Sequence, residues 1–283
     1  TRLPGFHESF EPLLPGFAHI DPPYCYLCPW GKRVESCNLE CASALGEKIT
    51  ELGRDKVAAF VAEPIIGTGG IIIPPPGYFE KIRQICTDND VLFIADEVIN
   101  GFGRTGKMFG IEHWDGVVPD LMTMAKGITS GYVQLGAVAL SGEIFDTFKQ
   151  RERFFHGFTY SGHPLACAVG LKNLEIIENE DLVGNAGKMG MVLKEKIQAL
   201  GLDIIGDVRG KGLMVGVELV KNKKTKAKYD PPLAPLVVDT AYKMGLITRP
   251  LIGDILQFSP PMVISESQID DMVNILGKAI SKA

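Results

Sequence analysis

Two apolar runs in this chain each end on an ionisable residue. Val91-Leu92-Phe93-Ile94-Ala95 leads into Asp96-Glu97-Val98, and Leu121-Met122-Thr123-Met124-Ala125 leads into Lys126-Gly127. Each run has the length and composition of a strand buried on both faces. In open α/β sheets, ligands bind beyond the carboxyl ends of such strands. An amine and a carboxylate at neighbouring strand ends suit one chemistry above others. Lys126 would form a Schiff base to pyridoxal 5'-phosphate (PLP), and Asp96 would hold a proton on the ring nitrogen. Displaced by a substrate amine, Lys126 would carry the proton, provided burial lowers its pKa. Taken singly, each residue has an ordinary reading. An Asp after a strand is commonly a turn former or cap, and a Lys there is commonly solvated.

The elements that must position this pair can be read on either side of it. Val57–Ala62 reads as a buried strand ending at Glu63-Pro64, followed by the glycine-rich Gly67-Thr68-Gly69-Gly70. No G-K-[ST] follows, so this is not a P-loop. A helix beginning near Gly77 carries Phe79, Ile82, Ile85 and Cys86 on one face and leads into the Asp96 strand. Strand, helix, strand predicts a largely parallel sheet. Gly136–Leu140 reads as a neighbouring strand of reversed direction. Gly101–Gly110, glycine-rich around Arg104 and Lys107, could bring backbone close to a ligand or a partner subunit. Pro164 suits the first turn of a helix, and Thr159 lies just ahead of it. A hydroxyl there favours an anion, although a plain cap is an equally physical reading.

Upstream, the Pro- and Gly-rich Thr1–Gly31 reads as extended loop, and Ala42–Leu52 as a helix. Downstream, helical Leu182–Leu200, alternating Leu213–Leu219, helical Leu236–Met244 and short strands near Ile247–Pro250 and Ile255–Phe258 suggest a smaller α+β unit. Lys221–Asp230 reads as a solvated connection. Ser265 with Gln268 three residues on predicts a capped final helix.

The 283 residues suffice for a large core and about two domains. Apolar residues make up 46% and charged residues 22%, an ordinary globular balance. A formal net charge of −5 provides no basic surface to attract nucleic acid. No apolar run approaches the ~20 residues of a membrane span. Cys25, Cys28, Cys37 and Cys41 have a spacing that invites a zinc reading. The segment lacks the glycine-turned knuckle of such sites, and no metal site is assigned. With no export signal, reduced thiols and a cytoplasmic setting are the expectation.

Four words occur in order: Ala62-Glu63-Pro64, Ala95-Asp96-Glu97-Val98, Gly101-Phe102-Gly103-Arg104-Thr105-Gly106 and Met124-Ala125-Lys126-Gly127. Together they resemble the class III (omega-type) PLP-dependent aminotransferases, over nearly the whole chain. The resemblance implies an α/β architecture of PLP fold type I, like that of aspartate aminotransferase. It has a large domain with a mostly parallel sheet, here over residues 1–165, and a smaller α+β C-terminal domain over 166–283. It implies Lys126, Asp96, Val98 and Thr159 as cofactor-binding residues. Val98, two residues beyond Asp96 on an extended chain, would pack on the ring face. Thr159 would reach the cofactor phosphate across a homodimer interface. Relatives that use glutamate place a basic residue before a Pro-Pro pair to partner the early Glu; here that position is Gln257, so Glu63 would lack this partner. Arg249-Pro250 resembles the substrate arginine of amine–pyruvate transaminases. The substrates implied are pyruvate, as 2-oxo acid, and a primary amine, diamine or omega-amino acid. The chain opens on Thr1 rather than a methionine. The family's N-terminal portion, with its phosphate cup and ring-stacking aromatic, is absent from it. A PLP-binding fragment with little turnover, or an aminomutase or decarboxylase, therefore stands as the alternative.

Overall fold

A computed structural model of the chain describes residues 8–150 and 154–283. The first sheet has four strands in sequential order: β1 (Ala59–Ala62), β2 (Leu92–Asp96), β3 (Leu121–Met124) and β4 (Ala137–Leu140). β1, β2 and β3 are parallel and β4 is antiparallel to β3, as the sequence predicts. The glycine- and proline-rich stretch before it, over the described 8–33, holds no helix or strand.

Two helices cover one face of this sheet. α1 (Glu40–Leu52) contributes Leu45 and Ile49, and α2 (Tyr78–Asn89) contributes Phe79 and Ile82. The Phe79 ring stacks 5.6 Å from Phe93 and meets Trp114 edge-on at 4.8 Å. α2 starts where Gly77 takes a left-handed φ of 82°. A Cβ at that glycine would sit 3.1 Å from Leu39.

The strands are not buried on both faces, contrary to the pattern of their apolar runs. On β2, Phe93 and Ala95 are buried, but Leu92 on the opposite face is 39% exposed. The register places Val61, Ile94, Leu121 and Leu140 in a row across that other face. Among the described residues no helix lies over it, and Val61 and Val138 stay 57% and 59% exposed. The continuous apolar pattern reflects a sheet suited to two covers, of which the described residues supply one.

α3 (Gly142–Gln150) follows β4, and α4 (Pro164–Asn179) begins with Pro164 in its first turn and His163 at the cap position. α4 packs on the turn that carries Lys126 and on α5 (Leu182–Ala199). The second sheet is antiparallel, in the order β5 (Ile205–Lys211), β6 (Met214–Leu219), β8 (Ile255–Phe258), β7 (Arg249–Leu251). It is packed by α5, α6 (Ala234–Lys243) and α7 (Glu266–Lys282) around Leu193, Val217, Val237, Leu256 and Ile269. The capping box of α7 is present in both halves, Ser265 to the Gln268 backbone and Gln268 back to Ser265.

The sheets are joined by packing and by charge. Met214, Leu251 and Ile255 from the second sheet pack into the core of the first. The Arg209 guanidinium donates to the carbonyls of Gly70 (2.6 Å) and Ile71 (2.9 Å). It also pairs with Asp207 and with fully buried Glu218, each at 2.7 Å. Lys228 completes the cluster on Glu218. The lysine-rich Lys221–Asp230 stretch is therefore more than a solvated connection, because one of its lysines neutralises a buried carboxylate.

Candidate active site

Asp96 closes β2, and Thr123 is its register partner on β3. The Thr123 hydroxyl donates to Asp96 Oδ1 at 3.1 Å, and the Val98 backbone N–H donates to the same oxygen at 3.1 Å. Asp96 Oδ2 has no hydrogen-bond partner among the described residues. One carboxylate oxygen is pinned and the other is left able to accept. Val98 does not continue the strand as the sequence reading assumes. The chain turns at Val98–Asn100, and the N–H of Val98 folds back onto Asp96.

Lys126 follows β3, at the first position of a short 3-10 turn, Lys126–Thr129. Its φ is +42°, and Ser130 beyond the turn has φ +48°. Left-handed backbone at non-glycine residues is uncommon and collects at functional sites. Lys126 is exposed, not buried as expected.

Glu63, just past β1, completes the cluster. Its carboxylate accepts from Gly67 N–H at 2.9 Å. Burial pushes its pKa up, opposed by that hydrogen bond; the Asp96 charge adds to the rise and the Lys126 charge works against it. Three strand-end residues thus share one electrostatic neighbourhood. Glu63 makes no ion pair within 4 Å among the described residues. Arg249 opens β7, with Gln257 as its cross-strand partner. From there it reaches the glycine-rich loop after Glu63, with Nη2 3.5 Å from Thr68 Oγ1.

Thr159 is not brought to this cluster. It lies in an exposed turn held by Ser161 N–H to Phe158 O and His163 N–H to Tyr160 O. Phe155, Phe158 and Tyr160 around it are exposed by 73% or more. The Gly101–Gly110 loop packs against the chain's own second half. A Cβ at Gly106 would fall 2.8 Å from Gly187 Cα, and one at Gly212 would fall 2.3 Å from the Thr105 carbonyl carbon. Glu97 staples this loop by accepting N–H bonds from Gly110 and Ile111, both at 2.8 Å. Arg104 donates to Pro260 O.

The four early cysteines line one hollow with Trp30 and Pro75. Burial raises the pKa of the Cys25 thiol and pushes that of Cys41 up to about 11, which favours the neutral thiol. Among the described residues, no group of three or more His, Cys, Asp or Glu is placed to hold a metal ion.

Comparison with known proteins decides the family. The model of the class III aminotransferases matches residues 1–280. The chain belongs to the class III aminotransferases. Among the relatives of this aminotransferase chain is a putrescine–pyruvate aminotransferase of Pseudomonas aeruginosa. The two are 42% identical over 99% of this chain and 62% of the relative. A diaminobutyrate–2-oxoglutarate transaminase of Halomonas elongata is 40% identical over 100% of this chain and 62% of its own. The omega transaminase of Pseudomonas jessenii, solved in complex with PMP, superposes with a TM-score of 0.93 at 39% identity. That match covers 99% of this chain and 63% of that one. The chain thus spans about 62% of the length of the curated relatives it matches. PLP is the cofactor of this family, and the fold is the family's α/β fold.

The sequence reading missed Thr123, Asn173 and Arg209. Thr123 carried a signal, as the one polar residue inside an apolar run. Asn173 and Arg209 did not, because their partners come from distant segments.

Proposed function

We propose that this chain carries out PLP-dependent transamination between an amine and a 2-oxo acid, with pyruvate as acceptor. The observation that carries the reading is the pair at adjacent strand ends. Asp96 has one oxygen pinned by Thr123 and Val98 and the other unpartnered, and Lys126 stands exposed in the same electrostatic neighbourhood. Those residues fit PLP. Lys126 Nζ would hold it covalently, and Asp96 Oδ2 would accept the ring N–H. Val98 would pack on the ring face. The partner subunit's Thr159 would donate to the phosphate across a homodimer interface, consistent with its exposed turn.

When bound, PLP supplies an electrophilic carbon for amines and an electron sink for the resulting carbanion. The chain's own residues do the rest. With the cofactor bound, Lys126 Nζ would carry the proton from the substrate carbon. Asp96 Oδ2 would hold the proton on the ring nitrogen. Arg249 binds the carboxylate of pyruvate or of an amino acid through its guanidinium fork, and swings aside for an amine that lacks one. Among the described residues Glu63 makes no ion pair, and with Gln257 beside Arg249 this favours pyruvate over 2-oxoglutarate. The putrescine–pyruvate relative supports a diamine, primary amine or omega-amino acid as donor.

A second reading keeps the binding and loses turnover. It is favoured by the bare sheet face beside Asp96. Borohydride reduction followed by intact mass tests the shared core. One reduced pyridoxyl adduct is expected on the wild-type chain and none on Lys126→Ala. An adduct that persists in Lys126→Ala would sink both readings. Alanine formed from pyruvate and putrescine favours the first reading, and an adduct without alanine favours the second.

A further inference from the structure

We infer that Asn173 is a positioning residue for Lys126; the inference rests on the reading of Lys126 just given. Asn173 lies mid-way along α4, buried, where asparagine is a poor helix former. Its side-chain amide points at the turn that carries Lys126. Nδ2 donates to Gly127 O at 2.9 Å and to Ile128 O at 3.2 Å. Oδ1 accepts from Ser130 Oγ at 2.7 Å. Both amide hydrogens and the carbonyl oxygen are thus spent on one turn.

The turn needs an external brace. It is short, and left-handed residues bound it at both ends, Lys126 and Ser130. Its internal bonds are few: Ile128 N–H to Ala125 O, and Ser130 N–H to Gly127 O. Left-handed backbone at non-glycine residues persists only where surroundings over-determine it. Asn173 ties the segment just after Lys126 to a helix that packs closely on it. A Cβ at Gly170, one helical turn earlier, would sit 3.0 Å from Leu135 and 3.7 Å from Ile128 O. The amide therefore fixes where the Lys126 Cα stands and where its side chain starts, without touching substrate or cofactor. Only a planar group with two donors and one acceptor meets all three partners. Aspartate has the shape but would set an oxygen against the two carbonyls. Leucine has the volume but leaves all three partners unpaired.

The test compares the wild-type chain with Asn173→Leu, Asn173→Asp and Ser130→Ala. Hydrogen exchange on cofactor-free protein reads the brace itself. Exchange at Gly127–Ser130 should quicken about tenfold in Asn173→Leu, the effect of losing a buried hydrogen bond. Exchange in β2 and β6 should stay unchanged, and Ser130→Ala should show the milder form. PLP added to the same samples gives a second reading. The midpoint of the pH titration of the lysine-linked visible band should move in Asn173→Leu and Asn173→Asp and hold in Ser130→Ala. Faster exchange spread over the whole chain, or none at the turn, would show Asn173 to be ordinary core and overturn the inference. An unmoved titration midpoint in the presence of local loosening would do the same. Failure of the wild-type chain to form any adduct on Lys126 would remove the functional reading and the inference with it. The exchange data would then still report whether the brace exists, which separates the two failures.

Discussion

At the scale of single residues, Glu97 shows how a carboxyl can be buried for structure next to Asp96, the proposed cofactor ligand. It is fully buried, and burial pushes its pKa up to about 7 against two backbone N–H bonds that pull it down. In the unfolded chain it titrates near the ordinary 4.5. Between those values the folded form holds a proton that the unfolded form has lost. Stability from this group is therefore full below the unfolded pKa and is lost as pH rises towards 7, by about 3 kcal/mol in all. Urea midpoints measured from pH 4.5 to 8 should fall across that range, and Glu97→Gln should flatten the fall. A wild-type profile that rises instead would contradict the assignment. Arg249 is the matching test on the substrate side. Arg249→Ala should raise the KM for pyruvate by about tenfold to a hundredfold, the loss of a charge-assisted pair, with far less effect on the KM for putrescine. Equal effects on both substrates would remove Arg249 from carboxylate binding. The strand-end placement of Asp96 and Lys126 was legible in the sequence because each ends an apolar run. Thr123 left a faint signal as the one polar residue in its run, and Asn173 left none, since a hydrogen bond between a helix and a turn leaves no local pattern.

At the scale of elements, the sequence carried most of the secondary structure, including the reversed direction of β4 and the capping box of α7, but left α3 and β5 unread. Periodicity failed where burial depended on something outside the element. The β2 run reads as doubly buried, yet one of its faces is open. The Lys221–Asp230 loop reads as solvated, yet Lys228 pairs with Glu218. The same limit hid the meaning of the Gly101–Gly110 loop, whose glycines fit against Gly187 on α5 and Gly212 between β5 and β6. That contact joins the two sheets and makes a prediction of its own. A Cβ at Gly190 would fall 1.9 Å from Gly212 O, and neither backbone can retreat, since Gly212 is itself wedged on Thr105. Gly190→Ala should therefore destabilise the chain by about 3 kcal/mol or more, although alanine is the better helix former. Gly46→Ala on α1, where the new methyl meets only Ile85 at 3.8 Å, should be neutral or stabilising. Thermal melts of the two variants that agree with each other would show that helix packing at Gly190 is looser than the backbone geometry demands.

At the scale of the whole molecule, two apolar surfaces stand open among the described residues, and they differ in kind. The outer face of the first sheet is a flat row of aliphatic side chains running up to Asp96, the surface a further layer of the same fold would cover. The Phe154–Tyr160 stretch is different. It is a turn with few bonds of its own, bearing Phe155, Phe158 and Tyr160 at 86%, 73% and 79% exposure around Thr159. Among the described residues, the ring contacts of Phe158 and Tyr160 are with their neighbours His156 and His163, which leaves the aromatic surface open, and aromatic residues are enriched at protein interfaces. A second copy seated there would bury the rings and carry Thr159 to its neighbour's cofactor phosphate, so assembly and cofactor retention should fail together. On the proposed dimer, Phe158→Ser combined with Tyr160→Ser should lower the sedimenting species to monomer. It should weaken PLP retention at least tenfold, as the loss of a charge-assisted phosphate contact requires. Thr159→Ala should weaken PLP retention to a similar degree and leave the dimer intact. Both variants should keep the wild-type unfolding temperature measured at monomeric dilution, because none of the three side chains packs in the core. A dimer that survives the double serine variant would place the interface elsewhere and leave Thr159 without a route to the site.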